Sequence, residues 1–349
     1  MMHTYQDIAI PIAWPDQTAR GDELWFKVLK RVGIVKNLNF RIGHAAILLI
    51  EHRTGQVLYY DFGRYICPRG YGRARSAAFD PRLYIQTQAK FSEQQALLNL
   101  EEILAELQQM EEATHGGGRM LCSLSEHISF KKAMAFAEAL VNKGPVPYGA
   151  IAPGNNSCSR YVAQILIAGM ETKDKRISKI LFPESLKASP TSNVVNGAKN
   201  GEFYCYANQD LVRWQMTRKQ SLKFQVNQLL INFSSRRAHT LPRDSQLGFI
   251  NEPSKPLQVP IKATWLGGLG EGCWFAIAQL EDTYSIRKYN HLGTLDYEVS
   301  AEAVEEFDAS AAYEFTFDIH YNRHHIRQAG RTIAFLSKEE EENQFKQSI

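Results

Sequence analysis

The sequence predicts an α+β protein in two parts, with strands and helices mixed over residues 1–190 and a smaller β-rich part over residues 201–349. Three observations predict it. Up to Met170, apolar residues recur in alternating blocks of strand-like and helix-like spacing. Between Phe182 and Gly201 that periodicity lapses among Pro183, Pro190 and the strings SPTSN and NGAKNG, which read as a linker or long connection. Beyond it, EFYCYA, KFQVNQLLINF, IKATWLG, CWFAIAQL, YSIRKYN, YEFTFDIHYN and TIAFLS are short aromatic or β-branched runs, the pattern of a small sandwich or barrel. A chain of 349 residues, 44% hydrophobic and 22% charged, can bury the cores this requires. Its net charge of +3 demands neither a nucleic acid nor an acidic surface as partner.

Each element has a local reason. DELWFKVLKRVGIV, from Asp22 to Val35, offers a short amphipathic helix through Leu24, Val28, Leu29 and Val32. The apolar runs Ala45 to Ile50 and Val57 to Phe62 flank the turn-forming EHRTGQ and read as a β-hairpin. From Gln94 to Met110, leucines and Ile103 share one helical side while Glu101, Glu102 and Glu106 lie elsewhere. HGGG at His115 precedes a strand from Arg119 to Ser125, and Phe130 to Asn142 is a helix. Pro153 and Gly154 break the chain before Asn155, Asn156 and Ser157, which are favoured caps. A helix then runs from Cys158 through Tyr161, Val162, Ile165, Leu166 and Met170. A further helix is expected near Ala301 to Phe307, and the Glu- and Lys-rich tail from Lys338 reads as a helical or frayed end.

Cys67, Cys122, Cys158, Cys205 and Cys273 are odd in number and never spaced C-x-x-C, which argues against a zinc site or a disulfide framework. No apolar run reaches the length of a signal peptide core or a membrane span, so the expectation is a cytoplasmic protein.

Cys158 stands where chemistry is possible. The first turn of a helix has unpaired N–H groups and partial positive charge, both of which favour a thiolate. A thiol nucleophile needs a base and a group that orients the base. Among His44, His52, His115 and His127, the first stands out as the one polar side chain opening an apolar hairpin strand. Counting back from the turn places Asp61 of YYDFGRY roughly opposite it, ahead of Gln56 and Tyr60 as the orienting residue.

Gly43-His44 opening a strand, followed about a hundred residues later by Asn156-Ser157-Cys158 opening a helix, resembles the circularly permuted NlpC/P60 group of papain-like cysteine hydrolases and acyltransferases. The resemblance runs from about Asn39 to Met170. It implies a permuted papain-like domain, an antiparallel sheet packed against helices. It also implies a cysteine amidase or peptidase with Cys158 as nucleophile, His44 as base and Asp61 as orienting residue. The expected substrate is a small peptide or amide, possibly cell-wall-derived, with Asn156, Tyr148 and Arg64 as contacts. No metal, organic cofactor or nucleic acid is called for. Two alternatives stand beside it: a thiol acyltransferase on lipid-like substrates, and a non-catalytic binding protein on the same fold.

Other motifs have plainer readings. Arg64, Arg69, Arg73 and Arg75 crowd one loop and read as solvated or paired with acids such as Asp80. HYNRHH, holding His320, His324 and His325, lacks a zinc-binding spacing and reads as an exposed polar edge. The basic run from Arg213 to Arg243 reads as ordinary domain surface with mixed acids and a β pattern.

Overall fold

The run HAAILLI lacks alternation because the strand it forms, His44–Ile50, is buried on both faces along its whole length. In the computed structural model, which describes residues 5–149, 152, 154–245, 247–281 and 283–337, this strand lies within an antiparallel sheet. Across the first unit the order is Asp210–Gln215, Glu202–Ala207, Met120–Cys122, Asp7–Trp14, His44–Ile50 and Val57–Gly63, and Ser125–Ile128 also pairs with Asp7–Trp14. On one face Ile10, Ile12, Ala46, Leu48 and Tyr59 share a core with Leu100, Ile103, Leu104 and Leu107 of helix Leu100–Gln109. Helix Cys158–Gly169 packs on the His44 strand, and its Tyr161 hydroxyl donates to the Ala137 carbonyl of helix Phe130–Lys143 at 2.9 Å. The expected hairpin and both of these helices are present. The helix expected from Gln94 is shorter at its start, because Asn99 turns its amide to the Gln88 carbonyl and Phe91 pairs with Leu97.

The chain divides into two units: Met1–Phe62 with Leu83–Leu140 and Tyr148–Gln246, and Gly63–Arg82 with Val141–Pro147 and Leu247–Ile349. Both are discontinuous, unlike the two consecutive blocks expected. Residues 202–207 belong to the first unit because Tyr204, Cys205 and Tyr206 pair with Cys122, Leu121 and Met120.

Two further expectations are corrected here. The supposed linker contains helix Pro190–Gly197, every residue of which is buried. Ser189 caps it, Ser192 completes the capping box, and Pro190 occupies the first turn, where its missing N–H costs nothing. KFQVNQLLINF is helical rather than extended: Thr217 and Gln220 form a capping box for helix Arg218–Leu229, which tightens into a 3₁₀ turn at Leu230–Phe233.

The second unit carries a seven-stranded antiparallel sheet in the order Thr264–Leu266, Cys273–Gln279, Tyr284–Tyr289, Leu295–Ala303, Arg331–Leu336, Arg323–Gln328, Glu314–His320. Its first and last strands also contact one another, so the sheet curls into a nearly closed barrel. The helix expected near Ala301 is instead the end of strand Leu295–Ala303. The expectations at Pro153 and for the tail from Lys338 lie outside the described residues.

The arginine loop belongs to this unit, and its centre is neither solvated nor free. Asp80 is buried and accepts from Lys288 Nζ at 2.9 Å and from Arg82 Nη2 at 2.6 Å. Arg82 also reaches Glu271 at 2.8 Å, Lys288 lies 3.1 Å from Asp296, and Arg75 lies 3.7 Å from Glu271. Three cations thus face three carboxylates in a charge-balanced buried network.

Candidate active site

Gly43 sets the direction of entry. Its φ of +78° is one that side chains resist, and a Cβ there would stand 3.0 Å from the Trp14 carbonyl oxygen. The next residue, His44, lies directly across the ladder from Trp14, whose indole stacks on the imidazole at 5.6 Å and 14°. On the return strand Asp61 is opposite Ala46, two residues along from His44, so all three side chains project from the same face. His44 Nε2 and Asp61 Oδ2 are 3.2 Å apart. Tyr59, again two residues along, donates its hydroxyl to the same Asp61 oxygen at 3.0 Å.

Cys158 is the first residue of helix Cys158–Gly169, and Ser157 is its N-cap. Asn156 holds the approach: its Oδ1 accepts from the Ser157 N–H at 2.9 Å and its amide donates to Gln164 at 3.0 Å. Asn193, on the buried Pro190–Gly197 helix, donates to the Ser159 carbonyl at 2.7 Å and fixes the first turn from behind. With Nε2 engaged by Asp61, Nδ1 is the ring nitrogen left for the thiol, and the imidazole and Cys158 are close enough to shift one another's proton affinity.

The electrostatics follow from this packing. Burial opposes charge on both groups. On His44 it is outweighed by the hydrogen bonds to Asp61 and Cys158 and by their charges, which raise the imidazole to about 9. On Cys158 it is outweighed by the hydrogen bond and charge of His44, with help from Ser159 and the Ala45 N–H, which lower the thiol below its usual value. The other four cysteines are buried and shifted the opposite way; burial pushes Cys67 up to about 11 and Cys122 up to about 12. Cys158 alone among the five is partly exposed. A thiolate–imidazolium pair of this kind can attack a carbonyl carbon and then protonate the leaving group.

Of the expected contacts, Tyr148 is partly exposed, forms a parallel bridge with Asn156 and stacks on Phe62 at 6.1 Å. Asn156 is buried, with its amide turned to Gln164 and the Ser157 N–H. Arg64 belongs to the other unit. HGGG forms a turn: His115 takes a left-handed conformation, and Gly116 lies where a Cβ would meet the Trp14 ring at 2.5 Å. Trp14, Tyr59, Ser159 and Asn193 were not singled out from the sequence; the YxD spacing of Tyr59 and Asp61 was the one available signal, because alternate strand residues share a face.

The histidine string is corrected. His324 is wholly buried with Nε2 3.1 Å from the Tyr297 hydroxyl, and His320 is buried too, so the pair is not an exposed edge. Burial and neighbouring positive charge lower both to about 3 and keep them neutral. Among the described residues Glu271, Cys273 and Asp296 offer atoms within 4.8 Å of one another, the spacing of a metal site. Lys288 and Arg82 already neutralise these carboxylates, which leaves little attraction for a cation.

Residues 9–175 match the family of type VI secretion system effectors described as TseH-like. The matched span holds His44, Asp61 and Cys158. It is just under half of the chain. Residues 263–338, within the barrel, match a second family described as the DUF6695 C-terminal domain. Among solved structures, the crystal structure of the type VI secretion system effector TseH is similar over 60% of this chain and 99% of its own, with 16% identity and a TM-score of 0.41. No curated protein matches. Among the described residues no helix is long and apolar enough to cross a membrane.

Proposed function

We propose that this chain is a cysteine-dependent amidase or peptidase on a circularly permuted papain-like domain, acting as an effector of the TseH-like class on a peptide substrate such as the peptide part of cell-wall material. The observation that carries the reading is Cys158 at the first residue of a helix, electrostatically coupled to a histidine whose Nε2 is held by a buried aspartate. The matched family adds the effector role.

In this reading His44 holds the thiol proton as imidazolium, and the Cys158 thiolate attacks the carbonyl carbon of the scissile amide. The resulting oxyanion is met by the Cys158 N–H, which has no acceptor within its own helix. His44 returns the proton to the leaving amine, and the C–N bond breaks to give a thioester. A water molecule, deprotonated by His44, then attacks the thioester and releases the acid and the free thiol. Asp61 keeps the imidazole in the orientation and tautomer that this cycle needs, and Tyr59 holds Asp61. Before delivery the protein resides in the cytoplasm, where five unpaired thiols are stable.

The test is to incubate the purified chain with peptide amides, cell-wall peptides included, quench in acid and weigh the peptides of the digested protein. An acyl group on Cys158, absent in Cys158→Ala, is expected. Loss of turnover by roughly 10³-fold or more is expected in Cys158→Ala and His44→Ala. Transfer to an added amine in preference to water would make it an acyltransferase. No acylation, together with alkylation by iodoacetamide no faster at Cys158 than at the buried thiols, would end the enzymatic reading.

A further inference from the structure

A second feature of the first unit is independent of Cys158. Helix Leu24–Arg31 buries none of its residues, and Leu24 and Trp25 are 78% and 55% exposed. Leu24, Val28 and Val32 recur every four residues and so form one exposed apolar stripe, with Trp25 beside it. Helix Arg218–Leu229 repeats the pattern, with Leu222, Val226, Leu229 and Phe233 exposed at helical spacing. The segments that follow the two helices meet. The Lys36 N–H donates to the Asn232 carbonyl at 2.8 Å, Asn232 donates back to the carbonyls of Asn37 and Asn39, and Lys30 is paired with Asp244.

Their charge is predominantly positive, although Asp22, Asp244, Glu202 and Glu184 pair with Lys27, Lys30, Arg213 and Arg218. Residues 24–50 contain five Lys or Arg and no Asp or Glu, and residues 211–243 contain seven and none, in a chain that has 37 acids against 40 bases. The sequence expectation of mixed acids and a β pattern over Arg213 to Arg243 is therefore overturned on both counts. Lys27, Arg31, Lys219 and Lys223 are exposed among the apolar side chains.

We propose that this surface docks on an anionic lipid bilayer. Exposed Leu, Val, Trp and Phe at helical spacing enter the boundary between headgroups and acyl chains, while the surrounding Lys and Arg meet lipid phosphates. The charge alone would suit a nucleic acid, but a phosphodiester backbone offers nothing to aliphatic side chains standing in water. The combination selects lipid.

The experiment is flotation of the full chain with vesicles of phosphatidylcholine alone or with about one third phosphatidylglycerol. Binding to the anionic vesicles only is expected, weakening as salt is raised. Lys27→Gln and Lys223→Gln should each weaken it about fivefold, the effect of one basic residue near such a surface. Trp25→Ser with Val226→Ser should weaken it further at unchanged charge. These side chains are exposed, so an unchanged far-ultraviolet spectrum and melting temperature will show that the variants fold. Cys158→Ala should float like the parent, which separates this proposal from the catalytic reading. Vesicle binding that ignores all four substitutions, capture of duplex DNA without vesicle binding, or a dimer dispersed by Trp25→Ser in a chain that ignores vesicles would each overturn it.

Discussion

At the scale of single residues, the site is a balance between burial and partners. His44 is raised to about 9 and Cys158 lowered, each in part by the other, which favours the thiolate–imidazolium pair over the neutral one. The rate of turnover should rise on the acid side as the thiol gives up its proton and fall as pH rises through about 9, when His44 can no longer protonate the leaving group. Measuring kcat/KM against pH tests both limbs; an alkaline limb shared by Asp61→Asn and the parent would show that Asp61 does not set the His44 proton affinity. Asp61→Asn should lower kcat by roughly 10- to 10⁴-fold with little change in KM. Tyr59→Phe, which removes one donor to Asp61, should have a much smaller effect of the same sign. The same shift has a stability consequence: because the folded-state value exceeds the ordinary 6.5, the contribution of His44 is fully present below 6.5 and is lost as pH rises through about 9. Cys158, His44 and Asp61 were legible because each is chemically out of place in its surroundings: a thiol at a helix start, an imidazole and a carboxylate among aliphatic and aromatic residues. Trp14 was not legible, since a tryptophan in an apolar run is the normal condition and only strand pairing sets it across from His44.

At the scale of elements, turns and caps aim the site. Gly43→Ala must force a side chain into a left-handed backbone and against the Trp14 carbonyl oxygen. A loss of about 1–3 kcal/mol in a denaturant titration is expected, with turnover falling further than stability because His44 is the next residue. Ser189→Ala should cost about 1 kcal/mol by uncapping the Pro190–Gly197 helix, which braces the first turn at Cys158 through Asn193 and Ser159. That helix eluded sequence reading for a physical reason. Most of its residues are small and polar, too few being apolar to show a periodicity, and it is buried because Val194 and Val195 join a core with Ala13, Leu121 and Phe203 while Asn193 and Asn196 find carbonyl and carboxylate partners within the unit. Helix Arg218–Leu229 was missed for the opposite reason, since its apolar residues suggested a strand core while in the fold they stand in solvent.

At the scale of the whole molecule, the ion network of the second unit ties residues 75–82 to the barrel strands. Lys288→Met would leave three buried carboxylates against two cations, and a loss of about 3–5 kcal/mol is expected in thermal or chemical unfolding of this unit. Burial would raise the Asp80 carboxyl, but Lys288 and Arg82 hold it well below its ordinary range, so its contribution is present above about pH 4 and is lost as pH falls further. A melting temperature that fell no faster below pH 4 than that of Asp80→Asn would exclude this role. The sequence by itself determined the local events: the hairpin, the start of the Cys158 helix, most of the barrel strands and the three residues whose chemistry departs from their surroundings. These depend on propensity, periodicity and capping within a few residues. Only the tertiary structure decided that residues 63–82 leave the first unit for the second, that a polar stretch becomes a core helix, and that an indole lies flat on His44. Such outcomes depend on partners distant in the chain, and nothing in a window of neighbouring residues encodes which distant group will supply a missing hydrogen bond or an opposing charge.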